Sequence, residues 1–146
     1  MKKFIFFVLA TCTILSCSTD EPEDDKVFDA DKYPQKWKLV KITGSWTNIE
    51  TTGENMEWQE NYILNDDGTF TKHREQGKES FNVPGTFSIV EHNGEKFLEL
   101  VHEVDTNLIV NCYSNQTESL WLKSDINLIN TAGACDWPKL EYKQVE

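Results

Sequence analysis

The chain has 146 residues, and its 25 aspartates and glutamates against 14 lysines and arginines give a formal charge of −11. This balance argues against nucleic-acid partners, because neutralising phosphates requires clustered lysines and arginines. The length suits one domain with a single modest core. The chain beyond its first apolar run is poor in alanine and rich in threonine, valine, isoleucine and aromatic residues, a composition typical of β-structure.

The N-terminus has the pattern of an export signal. Lys2 and Lys3 precede an apolar run of about twelve residues, Phe4–Leu15. A membrane-spanning helix needs roughly 20 apolar residues, so this run is too short to span a bilayer and has the length of a signal-peptide core. The chain becomes polar and acidic directly after Ser16 and Cys17.

A small residue followed by a cysteine, at the end of such a run, resembles the lipobox of bacterial lipoproteins. The resemblance implies that residues 1–16 are a signal peptide and that Cys17 becomes the new N-terminus, carrying fatty acyl chains such as palmitate. Cys12 is a competing site, but it would leave only a short apolar core, so we prefer Cys17. The other alternative is a short N-terminal helix packed on the domain. Several acyl chains, at about 0.8 kcal/mol per buried methylene, give a firm membrane anchor.

Residues 17–35 are predicted to be a lipidated acidic tether. The segment 18–35 has seven acidic residues, two lysines and two prolines, and it cannot bury enough surface to offset its ordering entropy. An acid-rich stretch after the lipidated cysteine also resembles the signal that sends some Gram-negative lipoproteins to the outer face of the outer membrane. We therefore expect an outer-membrane, surface-exposed lipoprotein, with the periplasmic face as the alternative.

Two cysteines remain for the folded part of the chain, Cys112 and Cys135. An even pair in an oxidising compartment predicts a disulfide. It would close a loop of 24 residues, counting both cysteines, and would stabilise the fold by about 3 kcal/mol. A metal-binding or reactive thiol pair is the alternative, but the pair lacks a Cys-x-x-Cys spacing and adjacent histidines.

Residues 36–146 are predicted to form one all-β domain. No segment has a sustained apolar stripe with a period of 3.6 residues, and a brief turn at 124–129 is the best helical candidate. Turn chemistry is strong at Asn65–Gly68 and at His92–Glu95. The predicted strands are Lys36–Thr43, Met56–Leu64, Thr69–Arg74, Val83–Val90, Lys96–Glu103, Asn107–Tyr113, Glu118–Lys123 and Lys139–Val145.

Eight consecutive strands joined mostly by hairpins favour a single antiparallel up-and-down β-barrel, because closure of the sheet removes its exposed edges. A two-sheet β-sandwich is the alternative. The interior of an eight-stranded barrel is either filled by side chains or just wide enough for one small ligand.

Five short motifs follow one another along the folded part of the chain: Lys36–Ile42, Asn65–Phe70, Gly85–Ile89, Ser119–Leu122 and Cys135–Lys143. Their order resembles that of the lipocalin-like domains of small bacterial lipoproteins. The resemblance implies a barrel that often binds small apolar molecules, with Trp37 closing the base of the core. The chain departs from the lipocalin signature at Gln35, where that signature has a glycine.

The five tryptophans exceed what a core of this size needs. Aromatic side chains near a barrel mouth hold an apolar ligand or anchor a protein partner; covering the core from its rim is the alternative role. Among the tryptophans, Trp46 and Trp58 flank a loop that is our preferred binding surface. The predicted ligand-binding residues are Trp46, Trp58, Tyr62, Phe70, Phe87 and Leu98.

The sequence has no motif of a catalytic, cofactor or metal site. His73, His92 and His102 lack zinc-ligand spacing, and we expect His73 and His102 on the polar faces of their strands. There is no serine-hydrolase elbow and no phosphate-binding glycine loop. We therefore expect a non-enzymatic protein whose barrel binds a small apolar or aromatic ligand. The alternative is a filled barrel that is an interaction module and docks on an envelope or surface protein, and a small hydrolase or inhibitor comes third.

Overall fold

The computed structural model describes residues 32–145, which form nine strands and two short 3-10 turns. The predicted signal peptide, Cys12, Cys17 and most of the tether lie outside the described residues. The 3-10 turns are Gly53–Asn55 and Ala132–Cys135. The strands are β1 Gln35–Thr43, β2 Glu50–Thr52, β3 Gln59–Leu64, β4 Thr69–Gln76, β5 Glu79–His92, β6 Glu95–His102, β7 Thr117–Ser124, β8 Asn127–Asn130 and β9 Lys139–Val145.

The sheet closes into an antiparallel barrel. Strands β3 to β9 pair in chain order, and β1 pairs with both β3 and β9, which makes a ring of eight strands. The short β2 lies outside this ring and pairs with the last residues of β1. The predicted up-and-down barrel is therefore confirmed, and the β-sandwich alternative is excluded.

The two ends of the barrel differ in their connections. The end at which β1 begins has the tight turns between β3 and β4, β5 and β6, and β7 and β8, and we call it the turn end. The end at which β1 finishes has the longer connections 44–49, 103–116 and 131–138, and we call it the loop end. Both turns predicted from sequence lie at the turn end.

Two elements differ from the sequence prediction. The segment Asn107–Tyr113 is not a strand, because it pairs with no neighbouring strand; its residues Leu108, Ile109 and Val110 are all buried. Composition alone does not distinguish a short buried strand from a short buried segment of another conformation. The segment 124–129 forms the turn into β8 and not a helical turn. The barrel thus has eight strands as predicted, with β8 in place of Asn107–Tyr113.

The disulfide between Cys112 and Cys135 is present, with 5.6 Å between the two Cα atoms. It joins the 103–116 connection to the 131–138 connection, so it fastens two loops of the same end to each other. This confirms the pairing predicted from the cysteine count. Among residues 32–145, no helix is both long enough and apolar enough to cross a membrane.

Candidate functional site

Five of the six predicted ligand-binding residues belong to the hydrophobic core or pack against it. Tyr62 and Phe70 are almost fully buried neighbours, with 6.1 Å between their ring centroids. Leu98 is buried near the turn end, and Phe87 is half-buried in β5, where its ring lies 6.0 Å from that of Tyr33. The fold therefore brings these residues together in the packed core.

The two tryptophans of the preferred binding surface lie in different environments. Trp46 is 83% exposed in the connection between β1 and β2. Trp58 is partly buried just before β3, and its indole stacks under the Arg74 guanidinium, with 4.7 Å from the Arg74 Cζ atom to the ring centroid. Trp46 is thus available to a partner, whereas Trp58 is engaged inside the protein.

The apolar part of the interior, toward the turn end, is nearly filled. A cavity there has a volume of about 10 Å³, which is room for about one water molecule. Ligand pockets for small molecules are typically ~300–1,000 Å³. The residues that line the cavity are Trp37, Leu64, Ile89, Leu98, Leu122 and Leu128.

The part of the interior toward the loop end holds a charged network that the sequence analysis missed. One centre of this network is Glu118 of β7, whose side chain is 1% exposed. Its Oε1 atom lies 2.8 Å from Lys72 Nζ and also accepts the Val110 backbone N–H. Its Oε2 atom accepts the Tyr62 hydroxyl and pairs with His102 Nε2, both at 2.9 Å. The carboxylate is thus fully engaged by four groups.

The second centre is Glu60 of β3, which is fully buried. One oxygen accepts the Tyr142 hydroxyl at 2.6 Å and lies 3.6 Å from Lys72 Nζ, while the other accepts Arg74 Nε. Lys72 lies between the two glutamates, so two buried carboxylates face two buried cations. Pairing of this kind offsets the high cost of taking isolated charges out of water.

The network shifts the pKa of its members in directions that follow from these contacts. Burial by itself raises the pKa of the Glu118 carboxyl, but the charge of Lys72 and the His102 hydrogen bond outweigh burial and hold the pKa at about 2. Burial raises the pKa of Tyr62 well above its usual value, and the charge of Glu118 adds to the effect. Burial and the charge of Glu60 do the same to Tyr142. Glu118 is therefore a permanent anion at neutral pH, held among neutral hydroxyls.

The network holds the 103–116 connection against the barrel. Lys72 Nζ donates to the Leu108 carbonyl at 2.7 Å, and Glu118 accepts the Val110 N–H. Leu108, Ile109 and Val110 are buried, and the disulfide at Cys112 fastens the same connection a few residues later. These contacts close the loop end of the interior with the chain's own backbone.

Three nitrogen atoms near this end have no hydrogen-bond partner among residues 32–145. They are Trp58 Nε1, Arg74 Nη2 and His102 Nδ1. A buried donor without an acceptor costs about 1–3 kcal/mol.

The placement of His102 corrects one prediction. His102 was expected on the polar face of its strand, but it is 1% exposed and lies inside the barrel. The same alternation that buries Leu98 and Leu100 also buries residue 102, because successive side chains of a strand point to opposite faces. The same signal was present at Glu60, two residues before Tyr62, and could have indicated a charged interior.

The outside of the loop end is aromatic and uncovered. Trp46 and Tyr113 are each 83% exposed, and Ile49 is 62% exposed. Within residues 32–145 these are the only two aromatic side chains in the exposed class. Both belong to connections at this end of the barrel.

No group of three or more histidine, cysteine, aspartate or glutamate side chains within residues 32–145 is arranged to hold a metal ion.

No protein-family model matches the chain, and neither curated proteins nor solved structures include one that is significantly similar to it.

Proposed function

We propose that this protein is a lipid-anchored envelope lipoprotein whose filled barrel is a rigid, non-enzymatic module for docking a protein partner. The observation that supports this proposal most directly is the occupied interior. Trp37, Tyr62, Phe70, Lys72 and Tyr142 are each at most 1% exposed. The apolar cavity beside them is about 10 Å³, and an interior of this kind suits a scaffold better than a ligand container.

The membrane anchor rests on the sequence pattern around Cys17. We expect Cys17→Ser to remove the acyl chains and to release the protein from the membrane fraction. Cys12→Ser is the matched control and should leave partitioning unchanged. Continued membrane retention of the Cys17→Ser protein would contradict the anchor.

Ligand binding inside the barrel is the competing prediction, and native mass spectrometry separates the two. For the acylated protein purified from membranes in detergent, we expect a mass that contains the chain and its acyl groups alone. A co-purified small molecule would favour ligand binding over a filled module.

Docking itself is tested by placing a photo-crosslinking amino acid, one site at a time, at exposed positions around the whole barrel. We expect one contiguous set of positions in intact cells to give a discrete protein adduct, while the rest give none. If no position gave an adduct, the proposed function would be overturned. Because the map covers every exposed side of the barrel, it tests docking on any surface.

A further inference from the structure

We infer that the loop end binds an arginine- and lysine-containing segment of a protein partner. This inference rests on the proposed function and names the surface and the chemistry of the partner. We call the exposed residues Trp46, Ile49, Tyr113 and the acids of the adjoining connections the loop-end surface.

Exposed aromatic rings mark this surface. Trp46 and Tyr113 are each 83% exposed, whereas the other eleven phenylalanine, tryptophan and tyrosine side chains of residues 32–145 are buried or half-buried. Exposed tryptophan and tyrosine are the residue types most enriched in binding hot spots. Their concentration at one end of the barrel therefore indicates a binding surface.

The loops that hold the two rings are linked through the 131–138 connection. β1 and β9 pair up to Thr43 and Lys139, so the connection with Trp46 begins beside the place where the 131–138 connection ends. The disulfide from Cys112 to Cys135 ties the residue next to Tyr113 to that same 131–138 connection. The 131–138 connection therefore adjoins both aromatic loops at the loop end.

The turn that presents Tyr113 is pre-ordered by Asn111. The Asn111 Oδ1 atom accepts the backbone N–H groups of Tyr113 and Ser114 at 3.3 and 3.1 Å. Its amide nitrogen donates to the carbonyls of Asn115 and Thr117 at 2.6 and 3.0 Å. A loop that is already ordered loses little conformational entropy when a partner binds.

The Trp46 connection is ordered in the same manner. Gly44 N–H donates to the Ile49 carbonyl at 3.0 Å, and Asn48 N–H donates back to the Gly44 carbonyl at 3.1 Å. The Thr47 hydroxyl accepts the Ile49 N–H at 3.4 Å. Both exposed rings thus belong to connections of the barrel whose backbone is held by hydrogen bonds.

The charges of this end favour a cationic partner. The connections 44–49, 103–116 and 131–138 contain Glu103, Asp105 and Asp136 and no lysine or arginine. All three acids are exposed, and none forms an ion pair within residues 32–145. Lys41 and Lys139 at this end are paired with Glu50 and Glu141. Within residues 32–145, Lys78 on the β4–β5 turn is the other exposed lysine here, so the three acids outnumber it. The negative charge is therefore free for a partner.

Open aromatic faces beside uncompensated carboxylates are complementary to guanidinium and ammonium groups. A cation over a tryptophan or tyrosine face is attracted by the ring quadrupole, and acids around such a ring steer basic partners toward it and reject acidic ones. A neutral carbohydrate would stack on the rings and could donate hydroxyl hydrogen bonds to the acids, but it would lack the attraction between opposite charges.

The test is a titration of the intact acylated protein, in detergent micelles, with a nona-arginine peptide. We expect Trp46→Ala and Tyr113→Ala each to weaken binding by about tenfold. The triple variant Glu103→Gln, Asp105→Asn, Asp136→Asn should weaken binding at low salt and flatten its salt dependence. A nona-glutamate peptide should not bind.

The matched control removes three acids from the turn end, Asp66→Asn, Glu91→Gln and Glu95→Gln. This variant has the same net charge as the loop-end triple variant and should bind nona-arginine within about twofold of the unaltered protein. Equal loss of binding in both triple variants would show general charge attraction and overturn the assignment. Binding of a neutral oligosaccharide without binding of nona-arginine would also overturn it. Crosslinks that map to another surface would reject this surface while leaving the docking function standing.

Discussion

Lys72 and Glu118 face each other inside the barrel from β4 and β7, with 2.8 Å between Lys72 Nζ and Glu118 Oε1. The two residues are 46 positions apart in the chain, and neither side chain is more than 1% exposed. Each also holds the backbone of the 103–116 connection, through the Leu108 carbonyl and the Val110 N–H. The buried ion pair thus joins the barrel wall to the segment that closes its loop end.

The first prediction concerns this pair. Lys72→Met should destabilise the protein by about 3–5 kcal/mol, because it leaves a buried carboxylate without its cation. In a double-mutant cycle, adding Glu118→Gln should cost less than the sum of the two single changes, by about 0.5–3 kcal/mol. Chemical denaturation measures each step, and Lys78→Met on the exposed β4–β5 turn is the control. Strictly additive losses would show that the two side chains do not interact.

The second prediction is acid destabilisation through Glu118. Its pKa in the folded state is about 2, below the ordinary value of about 4.3 in an unfolded chain. A lowered folded pKa gives stability that is present above the unfolded value and is lost as the pH falls through the folded one. We expect the Glu118 contribution, on the order of 3 kcal/mol, to disappear between about pH 4.5 and about pH 2.

Denaturant unfolding across that pH window measures the effect. The Glu118→Gln protein is the comparison, because it lacks the titrating group and should have a flatter dependence of unfolding free energy on pH. Equal slopes for the two proteins would contradict a lowered pKa of Glu118 in the folded state.

The third prediction concerns the disulfide. Replacing Cys112 and Cys135 by serine should lower the free energy of unfolding by about 3 kcal/mol, since the bond closes a 24-residue loop in the unfolded chain. Thermal unfolding with and without a reductant checks this. The unaltered protein should move to the variant's midpoint when reduced, whereas the double serine variant should not respond. A shift of the serine variant's unfolding midpoint in reductant would show that the reductant does not act through this disulfide.

The fourth prediction compares two glycines. A Cβ atom at Gly85 would lie 2.5 Å from Phe70 Cε1 and would also clash with the Val101 carbonyl oxygen, whereas one at Gly133 would meet nothing within 4 Å. Gly85→Ala should therefore destabilise the barrel by about 1–3 kcal/mol through overpacking, and Gly133→Ala should be close to neutral. Comparable stability of the two alanine variants, measured in denaturant, would contradict the close contact between β5 and Phe70.

Local sequence patterns predict the strands and turns of this protein. Alternation of apolar residues predicted β1, β4, β6, β7 and β9 with nearly correct bounds, because side chains of a strand alternate between two faces. The turn at Asn65–Gly68 followed from short-range chemistry, since Gly68 has a φ of 79°. The disulfide followed from the count of cysteines and the expected compartment.

The candidate site depended on tertiary structure. Local alternation shows which residues share a face, but pairing between Lys72 and Glu118 is decided by the closure and stagger of the barrel, which bring β4 and β7 together across the interior. Tertiary packing likewise decides the conformation of the apolar run Leu108–Val110. The run is buried at the loop end of the interior and does not form a strand. Residue chemistry therefore determined the elements of this protein, and only the closed barrel decided which charges it buries and which aromatic rings it leaves exposed.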